Sequence, residues 1–186
     1  MHIFIKMKKD IKQIIQVPEE VEMELKGNVI KFKGKEGELK RILNLGKIKI
    51  SNKGKEITLE CKNATKNEKR TINTFTAHIN NMMQGVQKKF EYKLKIVFSH
   101  FPISVDIKGT DVIIKNFLGE KIERRTTIPK EVEIDAGKEI IIIRGIDKEL
   151  TGQASANFEK ATKIRNKDRR VFQDGIFLIS KNGRAI

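Results

Sequence analysis

Polar and apolar residues alternate over much of the first sixty positions. Val21, Met23 and Leu25 share one side of an extended chain while Glu22, Glu24 and Lys26 share the other, the period-two pattern of a half-buried strand. After the Gly27-Asn28 turn, Ile30 and Phe32 continue the pattern and predict a hairpin. Further short strands follow at Leu39 to Leu43, at Ile48 to Ile50 and through Ile57, Leu59 and Cys61, with turns at Gly46 and over 51–54. Then the period changes. From about Asn67 to Gly85 the apolar residues Ile72, Phe75, Ile79, Met82 and Val86 recur at threes and fours, which predicts an amphipathic helix that Gly85 can close. One helix on one antiparallel sheet is the expected unit.

A second stretch of alternation, Phe90, Tyr92, Leu94, Ile96 and Phe98, leads into a half that resembles the first. Val21-Glu-Met aligns with Val105-Asp-Ile, Val29-Ile30 with Val112-Ile113, Leu39-Lys-Arg41 with Ile122-Glu-Arg124, and Glu56 to Leu59 with Glu139 to Ile142, at offsets of 83 or 84. A second helix is expected from about Lys148 to Lys163, with Leu150, Ala154, Phe158 and Ala161 on one stripe. The expected fold class is α+β, in two tandem similar domains, 1–91 and 92–186, each an antiparallel sheet with one packed helix. The alternative is one continuous β-rich domain whose simple alternation mimics a repeat.

Charge sharpens the picture. The 186 residues carry 39 Lys+Arg against 24 Asp+Glu, a formal net charge of +15, and 38% hydrophobic residues suffice for a core. With no Trp and one Tyr there is little for stacking platforms under single-stranded bases, so phosphate contact is the expected use of the cations. No run approaches the roughly 18 apolar residues of a membrane helix, and Met1 to Asp10 lacks the small-residue cleavage site of a secretory signal. A soluble, intracellular protein is expected.

Catalytic readings find little support. Cys61 lies in a strand pattern with no neighbouring base and reads as a buried small residue; with one Cys no internal disulfide forms, and His2, His78 and His100 have no zinc spacing. Lys33-Gly-Lys-Glu-Gly37 lacks the Gly-Lys-Ser/Thr ending of a nucleotide loop and precedes a strand. It reads instead as a basic hairpin tip, with Lys31, Lys33, Lys35, Lys40 and Arg41 set to straddle phosphates, or as an ordinary solvated turn. Neither cofactor nor metal is expected.

The densest charge stands near the end. Lys160, Lys163, Arg165, Lys167, Arg169 and Arg170 face a single acid, Asp168, where the second helix should stop. Like charges so close repel, and the segment gains most with a polyanion opposite; a merely solvated face is the alternative. Beyond it, Asp174-Gly175 marks a turn, Ile176 to Ile179 an apolar strand, and Lys181 and Arg184 a final basic pair.

Lys163-Ile-Arg-Asn-Lys-Asp-Arg-Arg170-Val-Phe172-Gln-Asp174-Gly175-Ile-Phe177-Leu178 resembles the C-terminal signature of the ribosomal large-subunit protein six family in its archaeal and eukaryotic branch, called protein nine in eukaryotes. Val17-Pro-Glu-Glu-Val21, Asn81-Met-Met-Gln-Gly85-Val86, Ser99-His-Phe-Pro102-Ile103 and Asn116-Phe-Leu-Gly-Glu-Lys121 resemble that branch too, in order, over nearly the whole chain. Three departures stand out. Lys160 replaces a usual Gln, residues 1–10 extend the usual start so that Met7 is an alternative initiator, and 50–70 lacks the paired Trp of many eukaryotic members.

The resemblance implies a duplicated α+β module without catalysis, a structural constituent of the large ribosomal subunit that binds its rRNA near the factor-binding site and sarcin–ricin loop. It implies neighbouring ribosomal proteins and nearby translation factors as partners, no membrane, and a cytoplasmic location on the ribosome, nucleolar during assembly if eukaryotic. Carried across, Lys163, Arg165, Lys167, Arg169 and Arg170 are the leading rRNA contacts, with Lys181 and Arg184 behind them and Lys33, Lys35 and Arg41 at the hairpin. Phe172, Ile176 and Leu178 are assigned to packing. An RNA-processing enzyme or a DNA-architectural protein would compete with this reading; the first needs convergent acids, and Asp106, Asp111 and Asp147 share no such spacing.

Overall fold

The computed structural model describes residues 9–186; Met7 and most of the segment read against a secretory signal lie outside them. The chain divides into two compact units, Met1–Lys88 and Lys89–Ile186. The division precedes the 91/92 boundary expected from sequence, because the alternating stretch from Phe90 is one uninterrupted strand of the second unit.

In the first unit, β1 (Lys9–Gln16), β2 (Glu22–Lys26), β3 (Val29–Gly34), β4 (Gly37–Ile42), β5 (Lys49–Lys53) and β6 (Glu56–Ala64) precede α1 (Lys66–Gln87). They form two antiparallel sheets, ordered β1-β6-β5 and β2-β3-β4, rather than the one sheet expected. Alternation decides which residues meet: Ile30 and Phe32 of β3 and Ile57 and Leu59 of β6 are fully buried beside Ile72, Ile79 and Val86 of α1. Cys61 is buried in β6. The helix begins where the Thr65 hydroxyl and the Thr65 N–H (2.9 Å) both donate to the Glu68 carboxylate, and these bonds, the hydroxyl's above all, hold the Glu68 carboxyl below its ordinary pKa. It does not stop at Gly85. That glycine is buried inside the helix, which runs to Gln87 because Val86 still belongs to the core face.

The second unit repeats the plan with β7 (Phe90–Val97), β8 (Ser104–Lys108), β9 (Asp111–Lys115), β10 (Arg124–Thr127), β11 (Val132–Ala136), β12 (Ile140–Gly145) and α2 (Lys148–Ala161). It then adds β13 (Gly175–Lys181) and β14 (Arg184–Ala185). Its sheets run β10-β9-β8 and β11-β12-β7-β13-β14, so β13 covers the edge of β7 whose equivalent on β1 carries no partner strand among the described residues. Phe117, Phe158, Leu94, Ile114 and Ile141 form the centre of the core. Asp147 caps α2 by accepting the Glu149 N–H at 2.8 Å.

The repeat is real, but its register is not a constant 83 or 84. Strand pairing equates Phe32 with Ile114, an offset of 82, and their partners Leu39 with Arg124, an offset of 85. Buried Ile57 and Leu59 correspond to Ile141 and Ile143, an offset of 84. The jump arises because a tight turn between β3 and β4 is replaced, between β9 and β10, by a longer loop that contains the turn Phe117–Gly119. Arg124 therefore stands where the first unit has Leu39, not Arg41.

Candidate nucleic-acid interface

Between α2 and β13 the chain makes a connection, residues 162–174, that is tied down at both ends. At its start Thr162, buried, donates its hydroxyl to the Phe158 carbonyl (3.2 Å) and accepts the Ile176 N–H (3.0 Å), which joins the end of the helix to the beginning of the strand. At its finish the buried carboxylate of Asp174 accepts both the Ser99 N–H and its hydroxyl, each at 3.1 Å. Burying a carboxylate is costly unless it is hydrogen-bonded, so these two donors are what allow Asp174 to close the connection.

The cations on this tether differ in availability. Arg170 is engaged: its guanidinium donates to both oxygens of Asp168 (Nη2 at 2.7 Å), which also accepts the Arg170 N–H at 2.9 Å. These bonds hold the Asp168 carboxyl below its ordinary pKa, and the Asp168 carbonyl closes the turn by accepting from the Val171 and Phe172 N–H groups. Lys167 lies over the Phe172 ring at 4.6 Å. Lys163, Arg165 and Arg169 are exposed and make no ion pair with another described residue.

A second group of cations comes from β10. Arg124 donates to the Ala161 carbonyl (2.9 Å) and the Lys163 carbonyl (3.2 Å), so it caps the last turn of α2. The same guanidinium grips Glu120 at 2.6 Å and stacks 4.2 Å from the centre of the Phe117 ring. That bond, with desolvation opposing it, lowers the Glu120 carboxyl pKa. Arg124, Arg125, Lys160 and Arg165 line a groove of about 530 Å³ with Thr126 and Asn157. On the other side of the helix end lies a larger groove of about 780 Å³, which shares Lys160 with the first and holds Lys163, Arg169, Phe172 and Phe177.

The remaining expected contacts lie elsewhere. Lys181 and Arg184 pair across the hairpin of β13 and β14, whose turn uses Asn182 and Gly183 at φ +50° and +80°. Lys181 lies six residue steps along β13 from Gly175, so this basic pair stands about 20 Å from the tether. In the first unit Lys33 is exposed but ion-paired to Glu22 (3.7 Å), and neighbouring Lys31 to Glu38 (2.7 Å). Lys35 is exposed at a tip that is docked on the helix end, since the Glu36 N–H donates to the Val86 carbonyl at 3.0 Å. A Cβ at Gly34 would come within 2.6 Å of that carbonyl oxygen, so glycine is required there. Arg41 pairs with buried Ile30 and is half-buried on the core side of its sheet, opposite the face of Lys31, Lys33 and Lys40.

The acids weighed for catalysis are occupied separately: Asp106 pairs with Lys115 (2.9 Å), Asp147 caps α2, and Asp111 sits at the turn between β8 and β9. Among the described residues no three His, Cys, Asp or Glu side chains converge, and no helix is long and apolar enough to cross a membrane.

A ribosomal protein L6 family profile matches the chain in two blocks, residues 17–89 and 101–175, one in each unit. The chain belongs to the ribosomal protein L6 family. Among its relatives, the large ribosomal subunit protein uL6 of Methanothrix thermoacetophila is 40% identical over 175 residues, 94% of this chain and 99% of the relative. The corresponding protein of Methanococcus vannielii is 39% identical over 176 residues, 95% of this chain and 97% of the relative. Membership makes the protein a structural, non-enzymatic component of the ribosome. Within the L6 blocks lies the whole tether, whereas Lys181 and Arg184 fall beyond residue 175.

The arginines of β10 are candidates that the structure adds to those expected from sequence. The Arg124-Arg125 doublet was a visible signal, but its place beside α2 depends on strand pairing. Of the three residues assigned to packing, Ile176 is buried and Leu178 is partly buried against the core, whereas Phe172 keeps 37% of its surface open; neighbouring Phe177 keeps 42%.

Proposed function

We propose that this L6 protein is a structural constituent of the large ribosomal subunit and binds large-subunit rRNA through the tether between α2 and β13. The carrying observation is that Lys163, Arg165 and Arg169 stand exposed and without ion pairs among the described residues, on a backbone fixed at Thr162 and Asp174, beside the cationic groove of Arg124, Arg125 and Lys160. Phosphate contacts position a protein on RNA, and cations carried on a fixed backbone lose little backbone freedom when they meet them. Lys167 and Arg170 extend this surface; Arg170 has to exchange part of its Asp168 pairing for phosphate.

Lys181 and Arg184 form a second patch, and Lys33, Lys35 and Arg41 a weaker third, since two of those three already have partners. The likeness of the C-terminal signature supports a position near the factor-binding site and sarcin–ricin loop, with ribosomal proteins as neighbours, translation factors close by and no membrane. A-form RNA offers backbone and 2′-hydroxyls more readily than base edges, which matches a cation-rich surface.

The test is co-sedimentation in cells. Replacing Lys167, Arg169 and Arg170 together by Glu is expected to move the folded protein from the large-subunit fraction to the top of the gradient. Continued co-migration of that variant would remove the tether from the interface.

A further inference from the structure

The larger groove beside the end of α2 has a composition that phosphate binding alone does not explain. Its lining combines apolar Ile164, Ile176, Phe172 and Phe177 with the cations Lys160, Lys163 and Arg169; its two carboxylates are already engaged, Glu159 by the Leu178 N–H (3.1 Å) and Asp174 by Ser99. Two phenylalanines with 37% and 42% of their residue surface open, at the most basic part of the chain, retain hydrophobic area that a simple cationic face would not need. Both are held in place. The Phe177 ring lies over Gly175, where an added Cβ would approach it to 2.8 Å, and Phe172 is covered by Lys167, which is not part of the groove lining. Gln173 also lines the groove; its amide nitrogen donates to the Arg170 carbonyl (3.2 Å), leaving its side-chain oxygen to meet a base edge.

A groove of about 780 Å³ lined by two phenylalanines and three cations has room for a planar heterocycle whose own phosphate stays outside. We propose that this groove receives an unpaired nucleobase of the bound RNA, stacked on Phe177 and Phe172, with the flanking phosphates on Lys163 and Arg169. The proposal rests on the RNA-binding reading above and adds to it an element that tells an unstacked nucleotide from a regular duplex. Base stacking on an aromatic side chain tolerates any base, so selectivity here is for RNA shape first and for base identity second.

The experiment uses the full chain with large-subunit rRNA freed of protein. Irradiation at a wavelength absorbed by bases, followed by peptide mass spectrometry, is expected to find a nucleotide adduct on Phe172 or Phe177. Phe177→Leu, which keeps the apolar contact with Gly175 but removes the ring, is expected to weaken rRNA binding about 5- to 100-fold. Its slope of log K against log salt should equal that of the wild type, because no phosphate contact is lost. Phe177→Tyr should restore affinity, and binding to a blunt RNA duplex should be the same for all three proteins. Adducts confined to other segments, undiminished rRNA affinity of Phe177→Leu, or an equal loss on duplex RNA would overturn the base pocket while leaving RNA binding intact. Failure of the wild type to bind rRNA at all would remove both readings.

Discussion

The two units are built on one plan and end differently. In the first, α1 ends at Gln87, the Lys88 N–H that follows bonds back to the Gln84 carbonyl, and the chain leaves the unit at once. In the second, α2 is followed by the connection 162–174 and by β13, which returns to pair with β7. The common core is two sheets and a helix; the second unit's extra strand closes a long cationic loop onto that core. Charge follows the same division. The first unit intersperses its lysines with acids, as in the pairs Lys12–Glu60, Lys26–Glu24, Lys31–Glu38 and Lys55–Glu19. On the second unit's tether Asp168 is spent on Arg170, Lys167 lies over Phe172, and Lys163, Arg165 and Arg169 make no ion pair with a described residue. Duplication supplies a scaffold, and an addition after the second helix supplies the cation-rich surface on which the proposed RNA contact rests.

The strongest way to break that comparison is to empty the second core. Phe158 is fully buried on α2 within the core cluster, and Phe158→Ala is expected to cost about 3–5 kcal/mol. Urea unfolding would read it, with hydrogen exchange quickening at the amides of β7, β12 and β13. A finer cut is Thr162→Val, which keeps the volume but leaves the buried Ile176 N–H without its acceptor. That costs about 1–3 kcal/mol, and the faster exchange should concentrate at the start of β13. Smaller still is the acid response of the Arg124 clamp. Glu120 is held below its ordinary pKa by Arg124, so its contribution to stability is whole above about pH 5 and is lost as the pH falls through the carboxylate range and below. Glu120→Gln should flatten that part of the stability curve, which urea midpoints between about pH 6 and pH 3 would show.

Much of this was legible in the chain itself. Period two revealed strands from Glu22 to Ile42 and from Glu56 to Ala64, period three to four revealed both helices, and the cations between Lys160 and Arg170 are unmistakable in any reading. What escaped had physical reasons. Gly85 looked like a helix stop, yet the core face continues through Val86 and packing overrides the propensity of one residue. The repeat register slipped because the loop between β9 and β10 is longer than its counterpart, a difference that strand alternation cannot report. Two sheets per unit were read as one, since period two shows which face is buried but not which strands pair. Arg124 beside α2 and Phe177 beside Phe172 are brought together by tertiary pairing over tens of residues, which spacing along the chain does not encode. The Arg170–Asp168 pair, by contrast, was two residues apart and in plain view.

The central claim is that phosphate contact is concentrated on the tether. Its most direct test is the salt dependence of binding to protein-free large-subunit rRNA. Neutralising Lys163, Arg165 and Arg169 together by Gln is expected to reduce the slope of log K against log salt by about 2 to 3. Neutralising Lys31, Lys33 and Lys40 in the first unit should reduce it by less than about 1. Equal reductions in the two variants, or a larger one from the first unit, would contradict the account.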